Sequence, residues 1–166
     1  MGPEIIKCEL VSHPPVRFIG RRFDSYPNWS LAWEGNWFEQ IEQAGDAARI
    51  NDESYCVLHG FKSLQHVYYL GEFFTEGTPA PDGFDYVDLP RLSAGLVYIK
   101  GRIDEVYALT APSQREAISK ALQDSGIYVP KETASHGWIS FERDNCPRFT
   151  DADDEGNVIL DFALYL

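Results

Sequence analysis

The sequence predicts an α+β domain in which two pseudo-symmetric β-α-β-β repeats build one antiparallel sheet with the helices on one face. Three observations predict it. Strand-type and helix-type runs follow one another in the same order twice, over about residues 5–75 and 90–166. Between them, Glu76–Asp85 (EGTPAPDGFD) is rich in Gly and Pro and lacks periodicity, which marks a crossing connector. The chain has 166 residues, enough for a single domain (1–166) with its own core, and its 44% hydrophobic content is ordinary for a globular protein.

Ile5–Leu10 reads as the first strand, broken by His13-Pro14-Pro15, and Val16–Phe23 as its resumption. From Asn28 the spacing changes. Trp33, Trp37, Ile41 and Ala44 recur every three or four residues, the apolar stripe of one helix that Gly45 ends. Ser54–Lys62 and His66–Thr75 are aromatic and β-branched, and the link Ser63-Leu64-Gln65 makes them a hairpin. In the second half, Leu89-Pro90 leads into a strand at Ser93–Gly101. Ser113 and Glu116 form a capping box for a helix whose stripe is Ala117, Ile118, Ala121 and Leu122, ended by Ser125-Gly126. Gly137–Arg143 and Asn157–Leu166 are the last two strands. Ile19-Gly20-Arg21 and Lys100-Gly101-Arg102 place Gly-Arg at matching points, where the first strand of each half is expected to leave the sheet. The sheet faces opposite the helices are expected to enclose a concave site at the junction of the halves.

Composition narrows the function. The formal net charge of −12 argues against nucleic acid and anionic membranes as partners and mildly favours cationic ligands. Aromatic residues, at 14%, exceed what a core alone needs and suggest a pocket wall. No apolar run approaches the roughly 20 residues of a membrane span. Residues 1–12 carry Glu4, Lys7 and Glu9 and do not read as a signal peptide. Cys8, Cys56 and Cys146 are far apart and odd in number, which suits a reducing cytoplasm. His13, His59, His66 and His136 have no ligand spacing, so no metal is expected. The P-loop, G-x-G-x-x-G and G-x-S-x-G patterns are absent, so no cofactor is expected either. Asp151–Gly156 has acids at positions 1, 3 and 5 of a calcium-loop pattern, but Phe162 stands at position 12, and the segment reads as a polar turn.

Phe84-Asp85-Tyr86-Val87-Asp88-Leu89-Pro90, followed by Gly95-Leu96-Val97-Tyr98, resembles the proline-led central strand of the GyrI-like effector-binding domains. Phe141-Glu142-Arg143-Asp144, running on through Asn145-Cys146-Pro147-Arg148-Phe149, resembles that family's F-E-x-Y-x-x-x-F signature, and Gly156–Phe162 resembles its final strand. The resemblance covers nearly the whole chain. It implies a bacterial multidrug-regulator effector-binding-like fold with a central ligand cleft, and a small-molecule ligand as partner. The family includes domains of transcription activators, a gyrase-modulating protein and hydrolases that open the cyclopropane of alkylating antibiotics. One departure stands out: the signature's Tyr is Asp144 here. Ile5 already opens the first strand, so the resemblance implies a stand-alone binder.

Glu142 is the principal candidate. Strand alternation predicts Trp138, Ser140 and Glu142 on one face, with Ile139 and Phe141 on the other. A carboxylate beside a Trp on a concave face suits a cationic aromatic ligand, and the resemblance implies that this glutamate sits in the ligand pocket. Tyr69, Tyr98 and Tyr165 are strand tyrosines able to offer hydroxyls, and Trp37 and Trp33 are further candidates for the ligand wall. The expected function is binding of a small lipophilic, cationic molecule between the halves. A first alternative is a hydrolase of an electrophilic, cyclopropane-bearing product, with Glu142 as general base and Glu72 as a second acid. A second is a protein-interaction modulator of a DNA-handling enzyme.

Overall fold

The computed structural model describes residues 2–45, 55–132, 135–144 and 147–166. The elements in chain order are β1 (Glu4–His13), β2 (Val16–Phe23), α1 (Trp29–Glu34), α2 (Trp37–Glu42), β3 (Cys56–Lys62), β4 (Gln65–Thr75), β5 (Asp85–Leu89), β6 (Leu92–Gly101), α3 (Ile103–Thr110), a 3-10 turn at Pro112–Gln114, α4 (Arg115–Asp124), β7 (Trp138–Arg143), α5 (Pro147–Thr150) and β8 (Val158–Tyr165). The expected start of β3 at Ser54, and Asn145-Cys146, lie outside the described residues.

All eight strands join one sheet, in the order β1-β6-β8-β7-β3-β4-β2-β5, and every pairing is antiparallel. The order is two-fold about the β7–β3 ladder. On one side stand β7, β8 and β6, on the other β3, β4 and β2, and each trio comes from one β-α-β-β half. The outermost strands are exchanged: β1 precedes the first half but pairs with β6 of the second, and β5 precedes the second but pairs with β2 of the first. The segment Asp85–Leu89 is thus an edge strand, while the strand that Pro90 leads, β6, stands inside the sheet between β1 and β8.

This exchange bends the sheet. β1 and β2 stand near opposite ends of the order yet are joined through Pro14 and Pro15 alone, as β5 and β6 are through Pro90 and Arg91. The edges must therefore meet at that corner, where the His13 and Phe73 rings lie 6.2 Å apart. The face without helices closes on itself around Phe18, Leu58, Tyr69, Phe73, Trp138 and Phe141. On the other face α3 and α4 cover Val97, Ile99 and Leu160 with Val106, Ile118 and Leu122, and α1 and α2 cover Val57, Leu70 and Phe74.

The one helix expected from Trp33 to Ala44 is two. Gly35 caps α1, and Asn36 takes a left-handed conformation (φ 52°) that starts α2 at a new angle. The stripe survives the break only in part: Ile41 is buried while Trp33 is exposed. The helix α3 was not expected. A one-sided cap falls there, where Glu105 accepts the Arg102 backbone N–H (3.2 Å), and not at Ser113, which lies in the 3-10 turn ahead of α4. Gly20 does not mark a strand exit. It sits within β2 opposite Gly71, where a Cβ on either residue would approach a carbonyl oxygen of the neighbouring strand to 2.1 or 2.0 Å. Gly101 does end β6. The acidic 151–156 segment is a turn before β8 in which Asp153 accepts the Glu155 and Asn157 N–H groups.

The β3–β4 turn holds Ser63 at φ 51° and the exposed Leu64 at φ 65°. These are the angles of a two-residue hairpin turn that favours Asn-Gly. Replacing Ser63-Leu64 with Asn-Gly is expected to raise stability by about 1 kcal/mol, read from the denaturation midpoint at unchanged m-value.

Candidate functional site

The helix-side face carries a cavity of about 440 Å³ over the seam between the halves. Its floor is central strand: Val57 and His59 from β3, Ser140 and Glu142 from β7, Phe162 from β8. One wall comes from the first half, Tyr26 and Trp29 at the entry to α1 with Tyr68 of β4. The other comes from the second half, Tyr107 of α3 and the Thr110–Pro112 bend, with Arg115 opening α4.

Two acids meet at this floor. Asp144 follows Glu142 by two residues, so alternation aims both side chains at the helices. The Asp144 N–H extends the ladder to the Tyr55 carbonyl (2.7 Å). Glu142 and Asp144 retain only 4% and 6% of their exposure. Each accepts one phenol hydroxyl, and the two phenols come from different halves: Tyr26 donates to Glu142 Oε1 (2.7 Å) and Tyr107 to Asp144 Oδ1 (2.8 Å). The remaining oxygens, Glu142 Oε2 and Asp144 Oδ2, are buried without a hydrogen-bond partner among the described groups, and the charge on Glu142 disfavours ionisation of Asp144.

The titration behaviour follows from this. Burial pushes Glu142 up to about 7, against the hydroxyl bond from Tyr26. Burial, then the Glu142 charge, holds Asp144 well above the usual carboxylate range. Burial and the adjacent acids keep both phenols protonated. Near neutral pH the pair therefore holds at least one proton.

The opposite end differs. His59 stacks flat on Tyr68 at 4.2 Å and its Nε2 lies 3.0 Å from His66 Nδ1. Burial, with Arg115 and His66 nearby, lowers its pKa to about 4, so it is neutral at pH 7. The Arg115 guanidinium lies 5.2 Å from the Phe162 ring centroid, and its buried Nε has no hydrogen-bond partner among the described groups.

Of the residues singled out in the sequence, Glu142 alone lines this cavity. Trp138 was expected on the same face but lies on the other. A bulge opposite His59/Gly60 adds one residue to β7, so Ser140 faces His59 while Trp138 faces Gly60. Trp138 then packs in the concave-face core with Tyr69 and Tyr165, and Tyr98 lines a second cavity on that face. The acid's own face is likewise the helix side, not the concave side expected. Glu72 is fully buried in β4 opposite Ile19, away from the cavity. Trp37 packs half-buried on Phe23, with Arg21 over its ring. Trp33, 54% exposed, stacks outside on Trp29 and Phe38. Sequence reasoning missed Asp144, Tyr26, Tyr107 and Arg115. For Asp144 the signal was present, since alternation carried two residues past Glu142 reaches it.

No protein-family model matches the sequence, and no curated protein matches it. Solved structures match across the whole fold. A Staphylococcus aureus MU50 protein assigned to bacterial transcription regulation aligns at TM-score 0.62 and 10% identity, over 96% of this chain and 97% of that one. SAV2435, solved bound to tetraphenylphosphonium, aligns at 0.57 and 11%, over 96% and 93%. The EcmrR C-terminal domain aligns at 0.54 and 13%, over 96% of both chains. The chain thus has the α+β fold of these proteins.

Because the folded pKa of Glu142 lies above its ordinary 4.5, the native state keeps a proton that the unfolded chain releases. Its contribution to stability is full below pH 4.5 and is lost as pH rises through about 7. Glu142→Gln removes this titration. Denaturation of both proteins at pH 5 and pH 8 should show the wild type losing stability relative to the variant at pH 8; a pH-independent difference would contradict a protonated buried acid.

Proposed function

We propose that the helix-side cavity binds a small lipophilic molecule carrying a cationic group, and that the chain serves as a sensing or sequestering module for it. The observation that carries this reading is the buried Glu142–Asp144 pair at the floor of an aromatic cavity. An acid pair kept from water is costly as two charges but holds one negative charge when it shares a proton. A ligand cation displaces that proton, leaving the pair a stronger counter-charge. At 4 Å and an effective dielectric constant of 20, each such contact gives about 4 kcal/mol before desolvation. Trp29 and Tyr68 supply ring faces for the same cation. The net charge of −12 favours its approach. Arg115, at the other end of the cavity with a buried Nε that has no partner among the described groups, suits an acceptor elsewhere on the ligand. A protein of the same fold was solved bound to tetraphenylphosphonium, a lipophilic cation, and another is assigned to transcription regulation, which supports an effector-sensing role.

Calorimetric titration of the full chain with tetraphenylphosphonium tests this. Binding is expected to tighten several-fold from pH 6 to pH 8 and then level off, because the cation competes with a proton on Glu142. Glu142→Gln is expected to weaken it at least tenfold. Equal affinity in the variant, with no pH dependence in the wild type, would refute the reading.

The about-neutral pKa of Glu142 also favours a second reading, in which Glu142 takes a proton from water as its oxygen bonds to an electrophilic cyclopropane carbon, the strained C–C bond breaks, and the proton passes to the released carbon. Incubation with such a compound followed by mass spectrometry should then give a hydrated product that Glu142→Gln does not form.

A further inference from the structure

The helix-side cavity holds a cation as well as an acid pair, and the described residues give that cation no counter-charge. Arg115, half-buried at the start of α4, lines the cavity. Its guanidinium lies against the Phe162 ring and makes no hydrogen bond or ion pair among the described residues, and its Nε is buried. Burial pulls its pKa below the usual guanidinium range. Other arginines of the chain are paired: Arg17 with Asp88, Arg22 with Asp24, and Arg143 and Arg148 with Asp161. The groups near Arg115 do not neutralise it. His59, whose imidazole feels its charge, is neutral at pH 7, and burial keeps the Tyr68 phenol protonated. Glu116, the next residue on α4, is exposed, and among the residues that line the cavity Glu142 alone is an acid. The two charges are also set apart. Glu142 pairs with Phe162 across the β7–β8 ladder, whereas Ser140, two residues away on β7, pairs with His59. Two residues of strand separate the acid from the His59 end by about 7 Å.

We infer that the ligand of this cavity is an aromatic zwitterion, with its cationic group at the Glu142–Asp144 pair and a carboxylate on Arg115. The inference rests on the cation reading above and adds the second charge. An acid pair that keeps one proton carries one negative charge, and Arg115 carries one positive, so the complementary ligand has both charges and is neutral as a whole. A ligand with a cation alone gains at one end and leaves the guanidinium desolvated and unpaired at the other, which is costly. A guanidinium whose donors are unused accepts a carboxylate through two parallel N–H bonds. Between the charges the cavity is apolar and aromatic, with Val57, Phe162 and Trp29, and suits a ring as the spacer. The same arrangement discriminates. A plain anion meets the acids and a plain cation leaves Arg115 without a partner, so each ligand of single charge is disfavoured.

The test is calorimetric titration of the full chain at pH 8 with three matched compounds. The first is 4-(benzyldimethylammoniomethyl)benzoate, whose ammonium and carboxylate stand on opposite sides of one ring. The second is its methyl ester, which keeps only the cation. The third is 4-(benzyloxymethyl)benzoate, which keeps only the anion. The zwitterion is expected to bind one per chain and at least tenfold more tightly than either of the others. Arg115→Gln is expected to bring the zwitterion down to the affinity of the ester and to leave the ester no weaker. Glu142→Gln is expected to weaken the zwitterion and the ester alike. The comparison of zwitterion with ester in the wild type decides the matter if the Arg115 variant does not fold. Equal binding of the two, or a preference for the zwitterion that survives Arg115→Gln, overturns this inference and leaves the cation reading standing, because the ester still binds through Glu142. Binding of the benzyl ether as tight as that of the zwitterion, or no binding of either ammonium compound, overturns both.

Discussion

The ladder between β3 and β7 is the joint on which the rest depends. Cys56 through Gly60 pair with Arg143 through Trp138, and there two three-stranded units become one sheet. A sheet joined only there would have two open edges. The exchanged strands β1 and β5 cover β6 and β2, and their proline-bearing connections pull the far ends of the sheet together. Closure in turn buries a face that no helix covers. One pairing and one exchange therefore create both a covered seam and a lined concavity.

The seam is also where an acid pair can be afforded. Neither half alone satisfies Glu142 and Asp144: the first half provides Tyr26, the second provides Tyr107, and the acids themselves lie on a second-half strand at the boundary. Two buried carboxylates without these donors would each cost several kcal/mol. A retained proton and two hydroxyls lower that cost. The departure at Asp144 from the signature that this segment resembles falls at this pair. Where that signature has a phenol, this chain has a second carboxyl, and phenols arrive from α3 and from the α1 entry.

Much of this was legible in residue order. The β3–β4 hairpin, β6, β7, β8 and α4 have strong local periods, and they fold where those periods put them. Strand exchange was not legible, because nothing local to Glu4–His13 or Asp85–Leu89 says which distant edge each will cover; hydrophobic alternation sets a face, not a partner. The Gly35-Asn36 break was hidden by an apolar stripe that continues across it. The misplacement of Trp138 has a sharper cause. A bulge is a property of two strands, and β7 read alone alternates perfectly until its register against β3 is known. Lying beyond the bulge, Glu142 turns to the helix side and not to the concave side that alternation from Trp138 predicts.

Glu142 and Arg143 are neighbours in sequence, and their chemistry depends on facing opposite ways. Had both side chains shared a face, they would form an ion pair, Glu142 would be ionised well below neutrality, and the helix-side cavity would have no proton to exchange. Instead Arg143 turns to Asp161 across the ladder, while its neighbour Glu142 stands opposite Phe162. The displacement of Glu142 towards neutral pH has burial as its main cause. A single-layer sheet thus keeps an acid and a base one residue apart from neutralising each other. The period of two that makes a strand amphipathic here separates charge rather than polarity.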